Sequence, residues 1–420
     1  MIKFLIKGII RDRSRSLFPM LTVAAGSFIM VLAVGYIAGA NNAFIEASAV
    51  FATGHVKIMT NAYARDIDLA PNELAVLGVD SLLSDLNKDY PSMLWSPRIK
   101  FGGLLDIPDE KGETRAQAIV AGFAVDLNSR DAEIMGIKEA IVQGAMPTAA
   151  NEIIIAENLA EKLKVAVGDT ATLVSSTMYG SLTMHNFRIA ATVRFGITPM
   201  DRGAVIADLR DIQNALDMED AAGEIFGFFP DLLYHYEEAD QISSEFTAKQ
   251  DSTDEFSLQM IPLADQNDLG TILNMMNSMS GILSSILIFA MSIVLWNAGL
   301  MGSLRRYGEI GLRLAIGESK GHVYTSMLGE SVIIGVIGSM IGAVFGLLAT
   351  FYLQVKGLDI SSMTQNSAMM ISNIIHAQIV PSCYYVGLIP GIIAPLLGSA
   401  IAGINIYKRR TAQLFKELEV

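Results

Sequence analysis

The sequence predicts a membrane protein of four transmembrane α-helices, arranged one plus three, with a large α+β extracytoplasmic domain between the first and the second. Three observations lead there. Uncharged runs occupy residues 16–45, 269–304, 331–355 and 360–407, each longer than the roughly 20 apolar residues needed to cross a hydrocarbon core about 30 Å thick. Charge is segregated: residues 41–270 hold 16 Lys and Arg against 36 Asp and Glu, whereas the rest of the chain holds 14 against 7. The acidic stretch reads as short strands alternating with short helices, and a soluble core rarely accounts for flanking helices that stay uncharged for so long.

The chain opens on MIKFLIKGIIRDRS. Ile2, Leu5, Ile6, Ile9 and Ile10 fall on one side of a helix and Lys3, Lys7 and Arg11 on the other. Residues 1–16 therefore read either as a helix lying on the cytoplasmic leaflet or as an ordinary basic flank. The apolar run that follows is about twice the roughly 7–15 residues of a signal-peptide core, so 17–42 is read as the first span rather than as a cleaved leader.

Residues 43–268 are expected to form the inserted domain. Strands are expected at 54–60, 115–125, 152–156, 170–176 and 187–195, and helices at 80–90, 157–163 and 209–218. TMYGSLTMHN, 177–186, reads either as a protruding hairpin that touches a soluble carrier or as an ordinary turn. The second, third and fourth spans are expected at 269–304, 325–355 and 381–407, joined by loops at 305–320 and 356–380 and followed by a tail at 408–420.

Charge orients the chain. Outside the insertion, basic residues gather at the N-terminus, in the 305–320 loop, and at 408–410 with Lys416. The positive-inside rule puts all three in the cytoplasm and the insertion, at −20, on the far side, in the periplasm of a bacterial inner membrane or its equivalent. An acidic domain of this kind argues against nucleic-acid binding. The single cysteine, Cys383, excludes an intrachain disulfide.

Within the spans, Gly35 and Gly39, and Gly338, Gly342 and Gly346, recur every fourth residue. Small residues at that spacing let helix backbones approach closely in lipid, although glycine is also common in membrane helices generally. Met275, Met276 and Met279 open the second span, and methionine suits a surface that accepts variable acyl chains. With Phe28, Leu32 and Tyr36 of the first span they form a candidate lateral cleft for lipid or substrate; ordinary lipid-facing or dimer-packing residues are the competing reading.

Sites of catalysis are hard to find. His55, His185, His235, His322 and His376 are scattered, with no metal-ligand spacing, and there is no Gly-Lys pair from which to build a phosphate loop. No catalytic residue, metal site or cofactor of its own is assigned to the chain. No span carries an Asp, Glu, Lys or Arg at mid-depth, which argues against ion-coupled transport. Energy for work must come from elsewhere.

The loop RRYGEIGLRLAIGES, 305–319, stands out between two apolar segments. Glu309 suits the first turn of a short helix, where a carboxylate complements the helix dipole. Ile310 and Leu314 fall on one face with Ala315 beside them, Gly317 is placed to end the helix, and Ser319 to cap the next. A rigid helix with an apolar ridge, tied to two spans, suits docking into another protein's groove; a basic turn that serves only topology is the alternative.

The stretch from 308 to 346, GEIGLRLAIGESKGHVYTSMLGESVIIGVIGSMIGAVFG, closely resembles the FtsX-like permease signature of ABC transporters, through Glu309, Ile310, Gly311, Arg313, Ala315 and Gly317. IVQGAMPTAANEIIIAENLAEKLKVAVGDTATL, 141–173, resembles the extracytoplasmic domain of MacB-type and LolC/LolE-type permeases, and the one-plus-three layout is similar as well.

The resemblance implies a type VII ABC permease, without a nucleotide site of its own, that pairs as a homo- or heterodimer with two copies of a separate ATPase holding ATP and Mg. The coupling helix would comprise Glu309, Ile310, Gly311, Leu312, Arg313, Leu314, Ala315 and Gly317, and ATP-driven motion would be transmitted to the outer domains through stalks continuing the first two spans at about 40–50 and 262–275. Lipoprotein release from the inner membrane, with a periplasmic carrier, is the favoured cargo reading. MacB-like efflux of peptides, toxins or macrolides with an adaptor, and FtsX-like regulation of an envelope enzyme, are the alternatives. The tail KRRTAQLFKELEV departs from the family's usual Asp-Pro ending.

Overall fold

The computed structural model describes residues 13–109, 111–196, 198–250, 254–266, 269–304, 307–359 and 374–408. Residues 1–12 of the expected interfacial helix at 1–16, most of the 356–380 loop and nearly all of the C-terminal tail lie outside these residues; 13–16 belong to the first long helix. Among the described residues four helices are long and apolar enough to cross a membrane, and a large α/β domain separates the first from the second. The chain divides into two compact units, residues 1–42, 275–358 and 375–420 in one, and 43–274 with 359–374 in the other.

The first long helix, Arg13–Ser48, is unbroken and ends in a π-helical turn, Ala49–Thr53. The second is Leu269–Leu304, the third Lys320–Lys356, and the fourth Leu388–Lys408, preceded by a 3-10 turn at Pro381–Tyr384. Each carries few or no charged residues, so its backbone polar groups are satisfied internally and its side chains suit lipid or one another. Val23, Met30, Val31 and Val34 of the first span, Leu295 of the second, Ala343 of the third and Ala394 of the fourth form the bundle core.

The inserted domain contains twelve strands among its described residues. They are β1 Val56–Thr60, β2 Val76–Leu77, β3 Leu94–Pro108, β4 Thr114–Val125, β5 Ile141–Gly144 and β6 Glu152–Ala156, followed by β7 Thr170–Ser176, β8 Leu182–Val193, β9 Ala204–Asp208, β10 Ala221–Ala222, β11 Glu224–Phe228 and β12 Leu258–Pro262. Ten of them share one sheet in the order β12-β1-β11-β3-β4-β9-β6-β8-β5, with β7 bridging β3 and β8. The pairings β3-β4-β9-β6-β8-β7-β3 close a ring, so six of the ten strands form a barrel, β5 adds to β8, and β11-β1-β12 is an open wing. The fifteen residues of β3 join the two: Leu94 to Arg98 pair with β11, and Ile99 onward pair with β4.

Several expected strands and helices of this domain fall where the pattern places them. The strand expected at 187–195 instead begins at Leu182, because Ser176 to Thr170 pair with Leu182 to Arg188 as a hairpin turning at 177–181. The pattern does not reveal β3, β9, β11, β12 or the helix Tyr236–Thr247. The apolar interior of the domain is continuous, from Val56 and Ile58 through Ile99 and Leu105 to Ile153–Ile155 and Val205–Ala207.

Candidate functional site

Tyr307–Ala315 is a helix, with Glu309 in its first turn. It ends in a Schellman motif: Gly317 N–H donates to Leu314 O at 3.1 Å and Glu318 N–H to Arg313 O at 3.1 Å. Gly317 has φ +102°, which a side chain would strain. Arg313 then clasps Glu318 with two hydrogen bonds of 2.6 Å, Nε to Oε2 and NH2 to Oε1. That guanidinium holds the Glu318 carboxyl below its usual range. Ser319 Oγ accepts from His322 N and starts the third span. The loop is thus a stiff elbow whose ends are fixed by its own hydrogen bonds.

One expectation is corrected here. Ile310 and Leu314 do not form an outward ridge: Ile310 is 4% exposed and packs with Val323 and Met327 of the third span, with Leu314 against the same cluster. The helix is clamped to its own chain through that face. Its exposed apolar face is Leu312, 53% exposed, with Ala315 and Ile316, 78% exposed. Gly311 is buried and Glu309 lies on the exposed side. Arg305 and Arg306 lie outside the described residues.

The bundle glycines lie against neighbouring segments, some on backbone and some on side chains. A Cβ on Gly338 would stand 2.9 Å from Met20 O, on Gly342 2.2 Å from Ala24 O, and on Gly346 2.8 Å from Val31 Cβ, so the third span lies directly on the first. Gly35 faces Thr350, and Gly39 faces the backbone of His376. The sequence pattern misses a second set. Gly299 approaches Pro395 O, Gly398 approaches Trp296 O, and Gly391 approaches Ser339 and Ser27. Gly299 and Gly398 have no glycine four residues away, so spacing carries no signal for them, whereas Gly391 follows Gly387 by four, a repeat outside the expected sets of span glycines.

A small cavity of about 30 Å3, room for one water, lies inside the bundle between Gly299, Ser303, Ser331, Pro395 and Ser399. Ser303 Oγ donates to Ser399 Oγ at 2.9 Å and Ser331 bonds the same hydroxyl. Glu330 also lines it, an acid inside the span expected at 325–355. The six residues of the expected cleft are not brought together by any cavity described here. Met275 and Met279 are exposed and Met276 half-buried on the second span, while Phe28, Leu32 and Tyr36 are half-buried on the first.

Within the inserted domain, charge collects where the first helix ends. A helix C-terminus presents carbonyls without intrahelical partners and the negative end of the dipole. Here Arg98 NH1 donates to Val50 O at 2.5 Å, Lys57 Nζ to Ala52 O at 2.7 Å, and Gln266 Nε2 to Thr53 O at 3.2 Å. Arg98 is also 2.7 Å from Asp131, and Lys57 and Lys100 share Glu224 at 3.3 and 2.9 Å. Both Arg98 and Lys57 lie over the Phe226 ring, at 4.3 and 4.9 Å from its centre.

Burial pushes the Lys57 ammonium down to about 8, a fall that Glu224 limits. Ala49, Phe226 and Phe228 pack with Leu263, Leu269 and Leu273, so the end of the first long helix and the start of the second share one apolar cluster. His55 completes the seam. Its Nδ1 accepts Phe229 N–H at 2.9 Å, its ring stacks on Phe229, and burial lowers its pKa to about 4. The five charged residues, Lys57, Arg98, Lys100, Asp131 and Glu224, are spread from 57 to 224, and only a lysine inside the otherwise mostly apolar VKIMT hints at them.

Residues 281–411 match the family described as FtsX-like permease C-terminal. A curated relative, the lipoprotein-releasing system transmembrane protein LolC of Haemophilus influenzae, is 21% identical over 248 residues, 57% of this chain; the chain spans 60% of that relative's length. Among solved structures, the periplasmic region of MacB from Actinobacillus actinomycetemcomitans is similar at TM-score 0.35 and 11% identity, over 50% of this chain and 90% of that one. The chain is thus similar to FtsX-like permeases over 281–411, which hold the loop helix, most of the second long helix and the whole of the third and fourth, and similar to LolC over 57% of its length.

Proposed function

We propose that this chain is the transmembrane subunit of an ABC system in which a separate ATPase, holding ATP and Mg, drives movement of the inserted domain. The observation that carries the reading is the loop helix. It is clamped to the third span by Ile310, stiffened by Arg313 and Glu318, and leaves Leu312, Ala315 and Ile316 exposed. An exposed apolar edge on a helix that cannot slide is suited to receive a partner's stroke. The clamped ends of the first two long helices around Phe226 and Phe228 give that stroke a defined point of arrival.

The full reading is a multi-pass protein of a bacterial inner membrane, with both termini and the loop helix in the cytoplasm and the acidic insertion in the periplasm. Two permease copies, alike or different, and two ATPase subunits make up the complex. The favoured cargo is lipoprotein leaving the inner membrane, supported by the distant LolC relationship and by the hairpin that exposes Tyr179, Leu182 and Met184 to a soluble carrier.

Copurification tests the assembly. Tagged wild type should capture an ATPase subunit from its own membranes, and the double variant Leu312→Asp, Ile316→Asp should lose it while remaining folded. Equal capture by both would overturn the docking face. A captured lipoprotein carrier would support the cargo, and an adaptor with an outer-membrane channel would replace it.

A further inference from the structure

The first long helix ends inside protein. Carbonyls of its terminal π-helical turn, Ala49–Thr53, are taken up by side chains from separate parts of the inserted domain. Lys57 of β1 donates to Ala52 O, Arg98 of β3 to Val50 O, and Gln266, beyond β12, to Thr53 O. All three side chains belong to buried residues, with Lys57 0% and Arg98 3% exposed. A helix end satisfied by water would need none of them. Two of them bring charge into an interior that penalises it, and well-packed apolar residues would serve stability as well.

Each cation is itself held from behind. The Arg98 guanidinium directs Nε to Ser96 Oγ at 3.2 Å and NH2 to Asp131 Oδ1 at 2.7 Å, which leaves NH1 aimed at Val50 O. Lys57 is braced by Glu224, whose other oxygen is held by Lys100. The turn is closed by Gly54 N–H on Ala49 O at 2.8 Å, and a Cβ on Gly54 would stand 2.6 Å from Val56 O, so the backbone passes tightly from the turn into β1.

Direction separates this arrangement from the apolar cluster beside it, where Ala49 packs with Phe226, Phe228, Leu263, Leu269 and Leu273. Apolar contact is non-directional, so a helix can slip or turn against it at little cost. A slip of one residue moves a helix by about 1.5 Å and turns it by about 100°. The bonds from Lys57 and Arg98 cannot follow such a slip. They anchor the turn to β1 and β3, the two strands that flank β11 in the wing.

We propose that Lys57 and Arg98 are positioning residues that make the end of the first long helix and the wing of the sheet one rigid body, so that displacement of the helix is delivered to the inserted domain. The proposal rests on the ATP-driven movement proposed above. Removing the two cations without stranding a charge leaves the domain folded and lets the helix slip.

The test uses the complete permease–ATPase complex in nanodiscs, in a Cys383→Ser background, with spin labels at Tyr179→Cys in the two permease copies. Arg98→Met with Asp131→Leu removes the bond to Val50 O, and Lys57→Met, tested separately, leaves Glu224 paired with Lys100. Both should hydrolyse ATP at the wild-type rate and lose most of the ATP-driven change in label distance, with Arg98→Lys keeping more of it than the apolar pair. A merely structural role would lower the thermal midpoint and leave the change per ATP intact. In the wild-type complex, which needs no variant to fold, the Gly54 amide should exchange as slowly during turnover as at rest. Label movement of wild-type size in the folded variants would overturn the clamp alone, as would Gly54 exchange about tenfold faster during turnover, the sign of a joint that opens. A wild-type distance that ignores ATP would instead refute the movement itself, and the clamp's role with it.

Discussion

In the bundle, Gly342 brings the third span so close to the first that a single added carbon would stand 2.2 Å from Ala24 O. In the inserted domain, comparable closeness is reached by Arg98, 2.5 Å from Val50 O and 2.7 Å from Asp131, both buried. The difference follows from the surroundings. Between helices in lipid there is no water to expel, so contact is gained by letting backbones touch through glycine. In a water-facing domain burial of apolar side chains supplies the stabilisation, and buried ion pairs such as Arg98–Asp131 add directional constraint rather than net strength. The bundle therefore resists added volume, and the inserted domain resists loss of a charge.

The largest effect should come from Arg98→Ala. It strands the Asp131 carboxylate and the Val50 carbonyl, at a cost of about 3–5 kcal/mol. Denaturant unfolding of the domain should show it, and Arg98→Met with Asp131→Leu should recover most of the loss. A single variant as stable as wild type would remove the charged seam from the account.

Acid should probe the same seam through His55. The folded value, about 4, lies below the ordinary 6.5, so the unfolded chain binds more protons between those limits. Stability contributed by the neutral ring is complete above 6.5, falls as pH drops toward 4, and levels off below it, by on the order of 3 kcal/mol. His55→Gln should flatten that slope, measured as unfolding midpoint against pH.

Gly342→Ala should cost about 1–3 kcal/mol through overpacking alone. Gly281→Ala, where an added carbon meets nothing within 4 Å, should be neutral. Detergent thermal shifts of the two variants sharpen the contrast between crowded and open faces of the bundle. Equal shifts would break it.

How much of this was legible in the sequence differs between the same two regions. The spans and their number follow from uncharged length, and the third-span glycines announce themselves by a repeat of four. Gly299 and Gly398 do not, since a lone glycine in a membrane helix looks the same whether or not a helix lies against it. In the loop, Gly317 marks the end of the helix, but amphipathicity alone takes its inward face for the outward one. Amphipathicity gives a ridge without saying whether the chain's own third span already occupies it. The inserted domain was legible as alternating elements and opaque in topology. The pairing of β3 with β11, β4 and β7, and the meeting of Lys57, Arg98, Asp131 and Glu224, depend on contacts between residues far apart in sequence, which no local period encodes.

The central claim is that ATP hydrolysis by a partner docked on the loop helix moves the inserted domain. The most direct measurement is the distance between spin labels placed at Tyr179→Cys in the two permease copies of the reconstituted complex, with Cys383, which is buried, replaced by Ser. ATP turnover should shift that distance, and Ile316→Asp should abolish the shift while the ATPase subunit alone still hydrolyses ATP. A distance indifferent to ATP, or a shift that persists in Ile316→Asp, would contradict the account.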